Sequence, residues 1–141
     1  MNRLRRLLFL LCGSVLYCGI AVAQNVVVIV NQNVKATTVT SYDIQAIFTG
    51  HATKLANGSR VDPVTLKSGP TYETFLKAYV GKTDAAFRAN WRMLVFTGGA
   101  KMPKEFDNEA SLLHYVKETP AAIGYVSKDT DLSGTKVLVV E

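Results

Sequence analysis

The 141-residue sequence has little of the chemistry that most enzymes and metal sites require. Cysteine occurs only at positions 12 and 18, and histidine only as His51 and His114. The sequence contains no G-x-S-x-G, H-E-x-x-H, G-x-x-x-x-G-K or G-x-G-x-x-G motif, which excludes the commonest signatures of hydrolases, zinc peptidases and nucleotide-binding proteins. We therefore predict no catalytic residue, no metal site, no cofactor and no enzymatic activity.

Four polar residues are candidates for chemistry. His51 falls in a predicted loop and His114 on a predicted helix, and neither has a second ligand at metal-binding spacing. Asp107 and Glu109 could pair as acid and base, but they follow one another in a polar stretch. All four side chains are interpreted as solvated.

The amino terminus has the pattern of an export signal. Three arginines lie within the first six residues, an apolar run follows from Leu7 to Tyr17, and small residues stand at Ala21 and Ala23. This pattern predicts a signal peptide over residues 1–23, cleaved between Ala23 and Gln24. The alternative of an uncleaved anchor is disfavoured because the apolar run is short for a membrane span. Neither cysteine follows a small residue, which disfavours a lipoprotein.

Cleavage would change the charge of the working protein. The mature chain would keep 118 residues, with 13 cationic and 11 acidic side chains and a net charge of +2 in place of +5. Nucleic-acid binding then loses its main support in the composition, and both cysteines are removed. We expect a periplasmic or secreted protein without disulfides, with no membrane insertion after cleavage.

Hydrophobic periodicity in the mature chain predicts the order β-α-β-α-α-α-β-β. The predicted strands are 26–30, 61–66, 123–126 and 136–140, and the predicted helices are 41–49, 72–80, 84–97 and 109–117, with a loop over 103–108. The continuous β-branched run at 26–30 indicates a strand buried on both faces, as in a parallel sheet. We predict one α/β domain over residues 24–141, a layered sheet with helices on both faces.

The turn between the second predicted strand and its helix is the strongest candidate for a binding site. Lys67, Ser68, Gly69, Thr71 and Tyr72 surround the helix start. Free N–H groups and the partial positive charge at a helix start favour an anion, and hydroxyls and a lysine add donors. An ordinary helix cap is the alternative interpretation of the same residues.

Several segments in this order resemble the phosphate-binding proteins of bacterial ABC importers, which have the type 2 periplasmic binding protein fold. They are "IFTG" after a short helix, "SGPT" at a helix start, "WRMLVFTGGAKMP", and "PAAIGYV". The resemblance covers nearly all of the mature chain but only one lobe of a two-lobed family. It implies a phosphate or oxyanion ligand at residues 67–72.

The chain departs from that family at three points. The family's other lobe is missing, proline occupies position 70, and the position of a phosphate-binding arginine falls near Thr65. Lys67 is the only nearby cation in the sequence, and lysine lacks the bidentate geometry that arginine offers to phosphate.

Two functions therefore stay open. The first is an exported phosphate or oxyanion-binding module with its site at residues 67–72. The second is a protein-interaction module that kept the scaffold and binds a protein partner or a second copy of itself. For the second, the segment 97–108 is a candidate contact, with Met102, Pro103 and Phe106 expected to be exposed among charges, although it could equally fold onto its own core.

Overall fold

A computed structural model describes residues 25–141, so the predicted signal peptide and its cleavage site lie outside the described residues. In chain order the elements are β1 (Val26–Val30), β2 (Thr38–Val39), α1 (Ser41–Phe48), β3 (Asp62–Leu66), α2 (Pro70–Phe75), α3 (Asp84–Phe96), β4 (Lys104–Phe106), α4 (Glu109–Glu118), β5 (Ala122–Ser127) and β6 (Lys136–Val140). Helix α2 continues as a π-helical segment, Leu76–Val80. Between Asn25 and Glu141 no helix is long and apolar enough to span a bilayer.

The six strands form one mixed sheet in the order β2-β6-β1-β5-β3-β4. Strands β3, β4 and β5 are mutually parallel, and β2 is parallel to β6. Strand β1 is antiparallel to both of its neighbours, β5 and β6. The predicted burial of β1 on both faces is confirmed, but the expected parallel pairing is wrong. A continuous apolar run indicates that helices cover both faces of a strand, and it does not indicate the direction of the neighbouring strands.

Helices cover both faces of the sheet, as predicted for this α/β fold class. Gly124 of β5 faces α4 so closely that a Cβ there would lie 2.9 Å from Leu112. The next residue, Tyr125, faces the other side, where its ring stacks on Phe75 of α2 at 3.8 Å and meets Phe48 of α1 at 6.0 Å. Helix α3 packs outside this second layer, against α1 and α2.

Three of the four predicted helix starts are confirmed by capping bonds, whereas the helix predicted from residue 72 begins at Pro70 without a side-chain cap. The side chains of Thr40, Thr83 and Asn108 each accept a hydrogen bond from the backbone N–H three residues later, at 2.8–3.2 Å. These bonds satisfy N–H groups that have no partner within the helix. Helix α1 is followed by Gly50 at φ +79° and the π-helical segment by Gly81 at φ +70°, which is the left-handed conformation common after helices.

Two short strands, β2 and β4, and the exposed side chain of Val95 differ from the predictions. The predicted loop over 103–108 contains β4, which pairs with β3, and Pro103 in it is buried while Phe106 is half-buried. The segment is therefore not a wholly exposed contact loop. Val95, expected on the inner stripe of α3, is 45% exposed, whereas Phe87 and Trp91 are buried as predicted. Strands of two or three residues carry too little periodicity to be recognised in a sequence.

Candidate functional site: the turn from β3 into α2

The turn formed by residues 67–72 lies at the carboxyl end of β3. The neighbouring parallel strand β4 ends beside it, and the N–H of Lys67 donates to the carbonyl of Phe106 at 2.9 Å. The carboxyl edge of parallel strands is where open α/β sheets usually bind ligands. The sheet thus presents this turn at the edge where a ligand is expected.

Backbone donors at the turn are available because of the way α2 begins. Pro70 is the first helical residue and has no N–H, and the first bond of the helix runs from Glu73 N–H to the Gly69 carbonyl at 3.0 Å. The N–H groups of Thr71 and Tyr72 therefore have no acceptor within the helix. No side chain caps the helix at Gly69.

The turn opens to solvent above Gly69. This residue has φ +105°, and a Cβ built on it would meet no atom within 4 Å outside its immediate neighbours. Ser68 is exposed and Thr71 is half-buried. Backbone conformation, and not lack of space, is what favours glycine here.

Lys67 is at the turn, but its ammonium group already has a partner. Its Nζ lies 2.8 Å from Oδ1 of Asp107, with half of the lysine side chain exposed. The hydrogen bond from Lys67 to Asp107 raises the pKa of the lysine above its usual value. An anion at the turn would have to compete with this carboxylate for the lysine.

The side chain of Tyr72 belongs to the scaffold of the site. It is 2% exposed and donates its hydroxyl hydrogen to Oδ1 of Asp84 at 2.7 Å. Burial, reinforced by this hydrogen bond, raises the pKa of Tyr72 well above its usual range. The group of Tyr72 that could contact a ligand at the turn is therefore its backbone N–H, at the start of the helix.

Arg88 of α3 is the residue at this site that sequence reasoning missed. Its Nη2 donates to the carbonyl of Lys67 at 2.6 Å, its Nη1 to Glu105 at 3.0 Å and its Nε to Asp84 at 2.8 Å. The one signal in the sequence was the i, i+4 spacing of Asp84 and Arg88, which is typical of any surface ion pair. Arg88 ties α3 and β4 to the backbone of the turn.

The end of β3 is held by Tyr125. The Tyr125 hydroxyl lies 2.7 Å from Oγ1 of Thr65 and accepts a hydrogen bond from the N–H of Leu66 at 3.1 Å. Burial raises the pKa of Tyr125 to about 12, while these two hydrogen bonds act in the opposite direction. Thr65, near which the resemblance expects an arginine, is 1% exposed and points into this buried cluster. That position supplies no cation to the turn.

The other polar candidates lie apart from one another. Asp107 pairs with Lys67, and Glu109 accepts a hydrogen bond from the N–H of Ser127 at the end of β5. His51 and His114 are exposed, as interpreted from the sequence. Asp107 and Glu109 thus have separate structural partners and do not pair with each other as acid and base.

Solved structures of phosphate-transport proteins share this fold. A Clostridium perfringens protein described as a phosphate ABC transporter substrate-binding protein, solved with bound phosphate, aligns with TM-score 0.64 and 19% identity over 82% of the chain. An ABC-type phosphate transport receptor from Vibrio cholerae aligns with TM-score 0.63 and 15% identity over 82% of the chain, and PstS from Borrelia burgdorferi with the same TM-score and identity over 83%.

These likenesses concern the fold. The chain spans 44%, 46% and 47% of the three solved proteins, less than half of each. No protein-family profile matches the sequence, and no curated protein is significantly similar to it. The chain therefore has the architecture of one lobe of a periplasmic binding protein.

Proposed function

We propose that the protein is an exported binding module that takes phosphate or a related oxyanion at the turn of residues 67–72. The observation that carries the proposal is the pair of unpartnered N–H groups of Thr71 and Tyr72 beside an open Gly69, at the carboxyl edge of the parallel strands. The shared fold with phosphate-transport proteins, one of them solved with bound phosphate, supports the same ligand class.

The charges around the turn predict weak binding. Two cations, Lys67 and Arg88, face three carboxylates, Asp84, Glu105 and Asp107. Binding must therefore come mainly from hydrogen bonds of N–H and hydroxyl donors, each contributing about 1–3 kcal/mol to a charged ligand. A site open to water on one side keeps only part of this energy. We expect a dissociation constant on the order of 1 mM, which corresponds to about −4 kcal/mol.

Calorimetric titration of the purified protein with phosphate, at low and moderate salt, tests the proposal. We expect saturable binding that survives moderate salt, together with a rise in melting temperature. The double variant Lys67→Ala/Thr71→Val should lose both responses. Lys128→Ala/Thr130→Val, which changes the same residue types away from the turn, should keep them. An unchanged thermal response in the first variant would exclude this site, and no heat at millimolar phosphate would leave the turn as a helix cap.

Asp107 provides a variant that should strengthen binding. Asp107→Asn removes one of the three carboxylates and releases Lys67 from its 2.8 Å ion pair. The pair is largely exposed, so the gain should be modest, about two- to five-fold in affinity. A loss of affinity in Asp107→Asn would show that the carboxylate itself takes part in ligand binding.

A second candidate function, a protein-interaction module, is favoured by the outer face of α3. Phe96 is 92% exposed and Met93 is 64% exposed, while Phe87 and Trp91 on the opposite side of this helix are buried. A surface helix usually carries polar residues on its outer face. Large exposed apolar side chains grouped together are typical of contact surfaces.

The exposed face can be tested separately from the turn. Sedimentation velocity at rising protein concentration should reveal a dimer if the partner is a second copy, and Met93→Ser/Phe96→Ser should abolish it. A photo-crosslinking residue at position 96, compared with one at position 128, reports a different protein partner. A monomer that crosslinks to nothing at position 96 would exclude this second function.

A further inference from the structure

A groove lies at the amino ends of the parallel strands, the sheet edge opposite the turn of residues 67–72. Its volume is about 660 Å³, and the start of β3, β4 and β5 contributes Asp62, Lys104 and Ala122 to its wall. Since the groove lining reaches Val64 of β3 and the turn begins at Lys67, the two are separated by about 10 Å along the chain. A ligand in this groove would not touch the proposed anion site.

Part of the groove lining is apolar and can adapt to a ligand. Trp91, Tyr115, Pro103 and Met102 line it. Met102 is 36% exposed, and an unbranched thioether side chain repacks easily around different shapes. Clefts of 300–1,000 Å³ with mostly apolar walls and a few placed polar groups are the usual form of small-molecule sites.

The rim of the groove is cationic. Arg60, Lys101 and Lys104 line it, against a single acidic residue, Asp62. Arg60 and Asp62 approach only to 3.9 Å and are both about two-thirds exposed, so their pairing is weak. The ammonium group of Lys104 lies 4.7 Å from the ring centre of Tyr115, which holds this cation beside the apolar part of the lining.

From this combination we propose that the groove binds a small organic anion, a molecule with an apolar body and one carboxylate or sulfonate group. The apolar body would lie on Tyr115 and Met102, beside the buried Trp91, and the acidic group would face Lys101 and Lys104. Because the groove and the turn share no residue, this site stands whether or not the turn binds phosphate.

Trp91 provides a built-in reporter, since it is the only tryptophan of the chain. Its indole Nε1 donates to the Phe48 carbonyl at 2.9 Å, so the protein should show one indole N–H resonance in an amide correlation spectrum. We would titrate the purified protein with 4-phenylbutyrate and follow both this resonance and tryptophan fluorescence. Uncharged 4-phenylbutan-1-ol and cationic 4-phenylbutylamine are matched probes that differ only in the terminal group.

We expect saturable changes with 4-phenylbutyrate, binding at least five-fold weaker with the alcohol, and no response to the amine. Lys101→Gln/Lys104→Gln should weaken binding of the carboxylate about five-fold and leave the alcohol unchanged, while the control Lys77→Gln/Lys128→Gln should alter neither. Inorganic phosphate should not move the indole resonance. This last result separates the groove from the turn.

Ala100→Phe should fill the groove and abolish the response to both the carboxylate and the alcohol. Thermal unfolding followed by circular dichroism verifies that this variant folds. Equal affinity for the alcohol and the carboxylate, or unchanged binding in a folded Ala100→Phe, would overturn the proposal. So would binding of an acidic peptide in the absence of any response to 4-phenylbutyrate. If Ala100→Phe does not fold, the comparison of the lysine variants with the control decides the question.

Discussion

The two ends of the parallel strands differ in what they can bind. At the carboxyl ends, the turn of residues 67–72 presents backbone N–H groups among five charged side chains. At the amino ends, the groove beside Trp91 combines apolar residues with three cations, Arg60, Lys101 and Lys104. The same strands therefore carry a mainly polar site at one end and a groove with apolar residues at the other. The two sites differ because different loops connect the strands at each end.

The largest effect should come from Gly50, at the groove end. Gly50 has φ +79°, and a Cβ there would lie 2.6 Å from Cδ1 of Leu94 and 3.1 Å from Trp91. Gly50→Ala should lower the free energy of unfolding by about 2–4 kcal/mol, because backbone strain and overpacking add. Urea unfolding followed by circular dichroism measures the loss.

Gly58 is the matched control for Gly50. Its φ is +85°, but a Cβ there would meet nothing within 4 Å. Gly58→Ala should therefore show the strain alone, about 1–2 kcal/mol. Equal losses in the two variants would mean that the close approach of α3 to Gly50 has no energetic weight.

The next effect should come from Tyr125, which holds the turn end of β3. Tyr125→Phe leaves the buried N–H of Leu66 and the hydroxyl of Thr65 without this partner, and we expect a loss of about 1–3 kcal/mol. Amide hydrogen exchange of Leu66 should become faster, while the indole resonance of Trp91 at the groove end stays in place. Tyr115→Phe, which removes a half-buried hydroxyl elsewhere, should cost less than about 0.5 kcal/mol. Unchanged exchange at Leu66 would contradict the anchoring role.

The smallest effect should be the pH dependence that Asp84 confers on the turn. Two hydrogen bonds lower the pKa of Asp84 in the folded protein, the larger effect coming from Tyr72 and the smaller from Arg88. The folded state then binds this proton less tightly than the unfolded state. Its contribution to stability is present above the ordinary carboxyl pKa of about 4 and is lost as the pH falls through the lowered value.

Asp84→Asn tests this contribution directly. The variant should be less stable than the wild type at pH 6, and the difference should shrink towards zero near pH 2. Asp129→Asn, at an exposed position on the loop after β5, is the control and should track the wild type throughout. A constant difference between Asp84→Asn and the wild type at all pH values would exclude the titration as its cause.

Much of the architecture could be predicted from local pattern, and the failures have physical causes. The four longer strands and the four helices follow from periodicity, and the α/β class from their order. Strand β4 was missed because its three residues, Lys104 to Phe106, become a strand only by pairing with β3. The exposure of Val95 was not predicted, because the exposure of each apolar side chain on α3 depends on which other elements pack against that helix.

In the candidate site, too, contacts between sequence neighbours could be predicted and contacts between distant segments could not. Lys67, Ser68, Gly69 and the first helical N–H groups could be placed together from sequence, because they are neighbours along the chain. That Asp107 would pair with Lys67, and that the groove would form around Trp91, could not be predicted. Both depend on segments that meet only once the sheet has formed.

The sequence by itself determined those hydrogen bonds whose donor and acceptor lie a few residues apart in the chain. The caps of Thr40, Thr83 and Asn108 each join atoms three residues apart, so local backbone conformation suffices to form them. Only the tertiary structure decided which distant groups hold the site. Tyr125 reaches Leu66 across 59 residues, and Arg88 reaches Lys67 across 21. Such pairs depend on strand order and helix packing, which are set by burial of the whole core and leave no local pattern at either residue.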